Sequence, residues 1–396
     1  MLKNKVHNSF HQLKDYCENE KFCGWDPYDG LNSLVFRALL FKYSKLCRLF
    51  WIQFFKQNPI NFRPLLLVKK GYNPKGIALF LSAYCNLYKI DPCDEYLQKI
   101  LFLADKLIEL KTFGYTGDCW GYNFDWQSRL EFMPAKTPTV VATSFAGYSL
   151  MDAYDSTKSE KYLESALSSC NFILNDLNRT KKEEGFIFSY SPLDTMRVYN
   201  ASLLGSKLLA RAYSYSGDDD LITAAHASVF ACVAAQRLDG AWLFGEDPVQ
   251  NWVDSFHTGY KLESISEFIK YSGDESFKEN IERGVDYFLK NFFLADGTPK
   301  YYDNRVYPID IHCPAQMMVT LFRLGILEKN IELVEKVLRW TIDHMQHPHK
   351  GYFYYQLKNS KSSKIPYMRW GQAWMMYGMS FYLLMLKQKL SYGSQN

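Results

Sequence analysis

Two landmarks recur in phase along this chain, and they constrain its fold more than its composition does. The first is a helix-like segment that ends in a short polar turn. Leu79–Tyr88 runs into Lys-Ile-Asp, Ser149–Tyr154 into Asp-Ser-Thr, and Leu208–Tyr215 and Ser264–Tyr271 each into Ser-Gly-Asp. Further copies end at Leu324-Gly325 and near Leu386, and successive copies lie 53–66 residues apart. The second landmark is a glycine followed by aromatic residues, at Gly121-Tyr122, Gly185-Phe186, Gly240-Ala241-Trp242, Gly297 with Tyr301-Tyr302, and Gly351-Tyr352. Self-similarity at such a period marks stacked supersecondary units, none of which buries its apolar face alone.

Between the landmarks lie segments with apolar residues at i, i+3, i+4 and i+7: Tyr96–Leu110, Tyr162–Leu177, Leu221–Gln236, Phe277–Phe292 and Ile331–Met345. That spacing predicts helices with one buried face. The first-landmark segments have almost no charged face, Lys207 and Arg211 being the main exceptions, so they are expected to be buried all round. Each unit then reads as an inner helix, a turn, an outer helix and a Gly-aromatic loop. Six such units predict an all-α fold, an (α/α)6 toroid with short β-hairpins or aromatic loops at one mouth. An open superhelix of helical hairpins is the alternative. The ring places Ala78, Gly147, Gly205, Gly259, Ala315 and Gly378 on its six inner helices. No helix follows the sixth, so its outer partner is expected from Ser33–Lys56, within an N-terminal segment 1–70. Residues 1–396 then make a single domain.

The chain has 396 residues, 47% of them hydrophobic, and carries 29 Tyr, 28 Phe and 9 Trp. Such a chain collapses rather than staying disordered. A net charge of +4, from 46 basic and 42 acidic residues, gives no global nucleic-acid signature. Nine cysteines without a CxxC pair argue against a disulfide framework or a zinc ribbon. Met1–Glu20 has no apolar signal core, so a cytoplasmic location is expected. Ser33–Phe55 is apolar but interrupted by Arg37, Lys42, Lys45 and Arg48, a poor membrane span. The expectation is a helix packed on the protein. The alternative is a basic amphipathic segment, residues 33–56, lying on an anionic bilayer, which would make the protein membrane-associated.

Three segments concentrate polar and aromatic groups: Asn251-Trp252-Val253-Asp254-Ser255-Phe256-His257-Thr258-Gly259-Tyr260, Ile309-Asp310-Ile311-His312-Cys313-Pro314-Ala315-Gln316, and Arg369-Trp370-Gly371-Gln372-Ala373-Trp374. With the six-fold hairpin pattern, they make residues 70–390 resemble the six-hairpin glycosidase-like toroids, in particular proteins of bacterial capsule and exopolysaccharide gene clusters. The resemblance implies a carbohydrate-active protein. Related toroids include N-acylglucosamine 2-epimerases, unsaturated glucuronyl hydrolases and polysaccharide lyases, and no one complete catalytic pattern of theirs matches.

In such a ring the N-termini of the inner helices converge on one mouth, where helix dipoles and unpaired N–H groups favour anions. Asn200, His257 and His312 fall 15–17 residues after their landmark glycines, at equivalent positions of three successive hairpins. Two imidazoles on one pocket suit removal of a proton from one face of a sugar carbon and its return to the other, which is the chemistry the resemblance to the 2-epimerases implies. Such a pair should stand roughly 6–9 Å apart across the sugar ring. Asp254 and Asp310, each just before a histidine, are helix caps or, with Asp125, a glycosidase acid and its partner. Trp120, Trp126, Tyr199, Trp252, Trp370 and Trp374 are candidate stacking platforms, with Asp125, Asn200 and Gln316 as hydroxyl partners. Arg129, Arg197 and Arg369 are candidate grips for an anionic sugar. The turn Gly24–Gly30 is similarly rich, its two aspartates expected to fold the loop.

His344, His347 and His349 lie in a loop with Pro348 and make a poor metal site; no metal or cofactor is expected. Cys313 reads as a structural thiol. Neither a phosphate loop nor a G-x-S-x-G or HExxH motif occurs. The reading is an enzyme of surface-polysaccharide metabolism acting on a sugar or glycan by acid/base chemistry, as epimerase or isomerase or as hydrolase or lyase. A non-catalytic glycan-binding or scaffold protein of an assembly complex is the alternative. An isoprenoid cyclase-like toroid is weaker, because no DDxxD or DxDD cluster is present.

Overall fold

A computed structural model describes residues 2–129 and 131–393. Fourteen helices follow one another: α1 (Leu2–Asn19), α2 (Leu34–Ala38), α3 (Lys45–Gln57), α4 (Pro74–Ile90), α5 (Asp94–Glu109), α6 (Val140–Thr157), α7 (Glu160–Asn175), α8 (Tyr199–Ser216), α9 (Asp219–Val233), α10 (Ser255–Ser272), α11 (Lys278–Phe292), α12 (His312–Arg323), α13 (Ile331–Met345) and α14 (Trp374–Gly393). Two-stranded antiparallel ribbons join some of them: β1 (Trp126–Gln127) with β2 (Phe132–Met133), β3 (Arg179–Lys181) with β4 (Phe186–Phe188), and β5 (Ile309–Asp310) with β6 (Gln356–Leu357).

The even-numbered helices from α4 to α14 pack in sequence, and α14 packs back on α4, so the ring is closed. The fold is an (α/α)6 toroid. Ala78, Gly147, Gly205, Gly259, Ala315 and Gly378 lie on the six inner helices, one on each. The outer helices are amphipathic as the spacing predicts: α13 buries Val334, Val337, Leu338, Thr341 and Met345 and leaves its other face wet. The Ser-Gly-Asp turns have a simple origin. Gly217 and Gly273 end α8 and α10 in the left-handed conformation, and Asp218 then accepts from the Asp220 amide to start α9.

The outer helix of the sixth hairpin is α1, which packs on α13 and α14. This corrects the expectation that Ser33–Lys56 fills that place. A stripe of Val6, Phe10, Leu13 and Cys17 supplies its buried face. The Gly-aromatic landmark shows the same closure. A Cβ on Gly185 would stand 1.9 Å from the Ala227 carbonyl oxygen of α9, and one on Gly351 would stand 2.4 Å from the Gln12 carbonyl oxygen of α1. Gly240 and Gly297 meet α11 and α13 in the same way. Each glycine is therefore the point where a loop touches the backbone of the next outer helix. In the first unit that residue is Gly117, against α7, and not Gly121.

Inside the ring the inner helices are tied by buried ion pairs. Arg211 of α8 holds Asp152 of α6 at 2.7 Å, Lys207 of α8 pairs with Glu263 of α10, and Arg323 of α12 lies 3.6 Å from Glu267 of α10. Residues 24–70, including α2 and α3, lie at the mouth instead. Trp51 of α3 donates to the Gly30 carbonyl at 3.0 Å, and Arg48 donates to Gln127 of β1 at 2.8 Å. This segment is a cap seated on the β1–β2 ribbon.

Candidate active site

The N-termini of the inner helices bring the chemistry together. Asn73 caps α4 by accepting from the Lys75 and Gly76 amides, with Pro74 at the first helical position, and this aims Lys75 along the axis. Asp254 caps α10 by accepting from the His257 amide at 3.0 Å. Its other oxygen takes His257 Nδ1 at 2.8 Å and Trp252 Nε1 at 2.9 Å. The imidazole is thus held by its Nδ1, leaving Nε2 as the remaining nitrogen, on a side chain 18% exposed. Burial lowers the His257 pKa below its ordinary value, against the raising effect of Asp254. For Asp254 burial pushes upward, but His257 and its hydrogen bonds prevail and hold the carboxyl below the ordinary range.

His312 opens α12 and is buried between rings. It stacks face to face on Phe256 at 4.2 Å, lies 4.1 Å from Trp374, and bonds the Tyr260 hydroxyl through Nε2 at 2.8 Å. Its Nδ1 has no hydrogen-bond partner among the described residues. Burial, with Lys75, His257 and Arg369 nearby, pushes its pKa well down. The Phe256 ring lies 4.1 Å from His257 and 4.2 Å from His312, so the two imidazoles stand within roughly 8 Å of each other by simple geometry. They are at the same end of the ring.

Sequence reasoning missed Lys75 and Tyr260, the centre of this cluster. Lys75 Nζ donates to the Tyr260 hydroxyl at 3.3 Å and lies 4.4 Å from the Phe145 ring and 5.3 Å from that of Trp374. Burial, then Arg369, push the Lys75 pKa well down. Lys75, Tyr260 and His312 therefore form a chain through one hydroxyl. Asp26 was missed as a partner as well. It receives Arg369 Nε at 2.6 Å and Nη2 at 2.8 Å, both side chains being buried. Arg369 is thus neutralised, which removes the anionic-sugar grip expected of it.

The other expected residues divide. Trp370 donates to Asp310 at 2.8 Å and meets Tyr28 of the cap, while Trp374 stacks on Tyr260 at 5.5 Å. Trp252, stacked on Phe244 at 4.5 Å, walls the His257 side. Trp126 lies over the mouth between Tyr28 and Tyr190. Gln316 is deeper, donating to Glu263 and Thr320. Trp120 is not at the mouth: it is buried against α5, donating to the Leu107 carbonyl at 2.7 Å, as Trp242 donates to the Cys232 carbonyl of α9. Asp125 accepts from the Ala135 amide and pairs with Arg37 at 3.2 Å, which makes it a joint to the cap. Arg129 is exposed beyond β1, and Arg197 pairs with Glu246 and Asp247. Asn200 is buried with Oδ1 unpartnered, and Tyr199 lies near Glu246. His347 folds its own loop, accepting from the amides of His349 and Lys350.

Asp310 is fully buried, and it accepts from the His312 amide, Trp370 and Gln356. Burial pushes its pKa up to about 6. Between its unfolded value near 4 and 6, the native state binds the proton more tightly. Asp310 therefore costs stability as pH rises through 6, on the order of 2–3 kcal/mol at neutral pH. The melting temperature of Asp310→Asn should accordingly gain on wild type between pH 5 and 7.5, and equal shifts at both pH values would refute this.

Cavities along the axis are small. One lies under the cap, among Asp26, Asn32, Asn73, Asn123 and Arg369; another lies deeper, by Ser82, Ser144, Tyr148 and Lys207. Each holds about 10 Å³, room for a water.

These features define a six-hairpin toroid with an imidazole cluster at a capped mouth, and solved structures share the toroid. The cellobiose 2-epimerase of Bacillus thermoamylovorans matches with a TM-score of 0.62 at 14% identity, over 80% of this chain and 88% of that one. An unsaturated glucuronyl hydrolase specific for heparin matches with a TM-score of 0.64 at 13% identity, over 98% of both chains. A D-mannose isomerase matches with a TM-score of 0.60 at 12% identity, over 79% and 87%. At these identities the likeness establishes the fold. No family model and no curated sequence matches the chain.

Proposed function

We propose that the protein is an enzyme of surface-polysaccharide metabolism that epimerises or isomerises a sugar by moving a proton at the carbon beside its carbonyl. The observation that carries this reading is the Asp254–His257 pair. The carboxylate holds Nδ1, so the neutral imidazole presents a basic Nε2 from the more exposed of the two central histidines. Tyr260, bonded to His312 and Lys75, supplies the acid side and a hydrogen-bond donor for the oxyanion of an enediolate. Two-carboxylate glycoside hydrolysis fits less well, because Asp254 and Asp310 are both buried and their oxygens are occupied by helix amides and indoles. Rings of Trp126, Trp252 and Trp370 suit the C–H faces of a sugar. The cavity under the cap holds about 10 Å³, so a sugar ring entering it in this reading requires the cap to lift.

The test is incubation of the protein with free hexoses, N-acetylhexosamines and reducing disaccharides in deuterated water. Deuterium at the carbon beside the carbonyl, lost in His257→Gln, is the expected result. New reducing ends from oligosaccharides without deuterium uptake would overturn the reading in favour of a hydrolase. Binding without either would overturn it in favour of a glycan-binding protein.

A further inference from the structure

The cap carries a surface that neither the ring nor the imidazole cluster uses. Between Asp29 and Asp91 the chain has no acidic residue, while residues 33–70 contain eight Lys and Arg, in a protein whose net charge is only +4. The same stretch exposes Leu34, Val35, Leu39, Leu40, Tyr43, Leu46, Phe50, Ile60, Leu65 and Leu67, half of all the exposed large apolar side chains among the described residues. Leu40, Tyr43, Leu46 and Phe50 are 82, 74, 77 and 70% exposed. Leu46 and Phe50 lie one turn apart on α3, whose other face is buried through Ile52 and Phe55. The Leu34 amide meets the Leu67 carbonyl, joining the two ends of the stretch.

Its cations are not all consumed by the fold. Arg63 is buried on Asp29, Arg37 pairs with Asp125 and Lys70 with Glu20. Lys42 donates to the Arg37 carbonyl, and Arg48 to Gln127 and the Lys42 carbonyl, all neutral acceptors. So dense a run of exposed apolar side chains is rare on a protein that stays in water. A stretch of chain that carries cations beside these side chains and no acid of its own matches the anionic headgroups and acyl boundary of a bilayer. No helix among the described residues is long and apolar enough to cross a membrane.

We infer that residues 34–67 dock the protein peripherally on an anionic lipid surface, with the capped mouth of the ring turned toward the bilayer. Leu40, Tyr43, Leu46 and Phe50 enter the interface, and Lys42, Lys45 and Arg48 meet the headgroups.

The full chain should co-sediment with vesicles of phosphatidylcholine and phosphatidylglycerol, bind pure phosphatidylcholine far less, and release as salt is raised. Leu46→Asp/Phe50→Asp should lower partitioning at least about tenfold, because two large side chains no longer leave water. Lys42→Gln/Lys45→Gln should lower it roughly fivefold for each charge removed. These side chains are on the surface, so unchanged melting curves are expected and certify the variants. Absence of vesicle binding by the wild-type chain would overturn the inference, as would binding indifferent to lipid charge or to the apolar substitutions. A dimer at micromolar concentration that the Leu46→Asp/Phe50→Asp variant dissociates, without vesicle binding, would assign the surface to a second copy of the chain.

Discussion

Asp254→Asn should cut turnover by about 10²- to 10⁴-fold while leaving the fold intact. The carboxylate now accepts from His257 Nδ1, so Nε2 keeps its lone pair. An asparagine amide turned toward Nδ1 donates instead, and the imidazole must then carry its proton on Nε2. A base in the wrong tautomer cannot take a proton, whatever its position. The helix cap survives, since asparagine also accepts from the His257 amide. The pH profile gives an independent readout. Burial places the His257 pKa below its ordinary value of 6.5, so wild-type activity should fall only as pH drops below that value. Loss of the carboxylate that favours the imidazolium should move this limb lower still. Near-normal turnover in Asp254→Asn, or an acid limb that moves upward, would remove His257 from the role of base.

The largest stability effect is expected at Asp26. Its two oxygens hold Arg369 by a bidentate pair in a buried setting. Asp26→Ala leaves the Arg369 guanidinium out of water without its counter-ion, and Arg369 does not deprotonate to escape. The cost should be about 3–5 kcal/mol, read from chemical denaturation. Removing the second charge as well, in Asp26→Asn/Arg369→Met, should recover much of it, because a neutral pair carries no orphaned ion. If the double variant is as unstable as the sum of the singles, the two side chains do not act as a pair.

The ring was legible because its cause is local. A Gly-aromatic loop must touch the next outer helix through bare backbone, so Gly185, Gly240, Gly297 and Gly351 recur wherever the architecture does. The first unit meets that need with Gly117, and there the spacing misled. Helix α1 was missed because its stripe of Val6, Phe10, Leu13 and Cys17 is narrow and set among lysines and histidines. Ser33–Lys56 was preferred because apolar residues usually report burial, yet much of its apolar surface is in water. At the mouth, the two histidines stood out by falling in phase. Lys75 lies in Asn-Pro-Lys-Gly, which reads as a wet turn, and Gly71-Tyr72 stands only four residues before it, outside the interval that marks the histidines. Asp26 and Arg369 are 343 residues apart, and no periodicity connects a cap to the last inner helix. Trp120 was misplaced for a related reason: an indole in a loop looks like a sugar platform, although its N–H here terminates α5.

The sixth hairpin joins the two ends of the chain, with α1 lying against α14 and α14 against α4. During synthesis α1 has to wait for more than three hundred residues before its partners α13 and α14 exist. Until then Val6, Phe10 and Leu13 have no lasting shelter, and the inner faces of α4 and α12 stay open to solvent. Closure of the ring is therefore a late event that waits on α14. Any truncation that removes α14 opens the ring at both flanks at once and leaves α1 with α13 alone, so loss of one helix there costs two interfaces between inner helices rather than one.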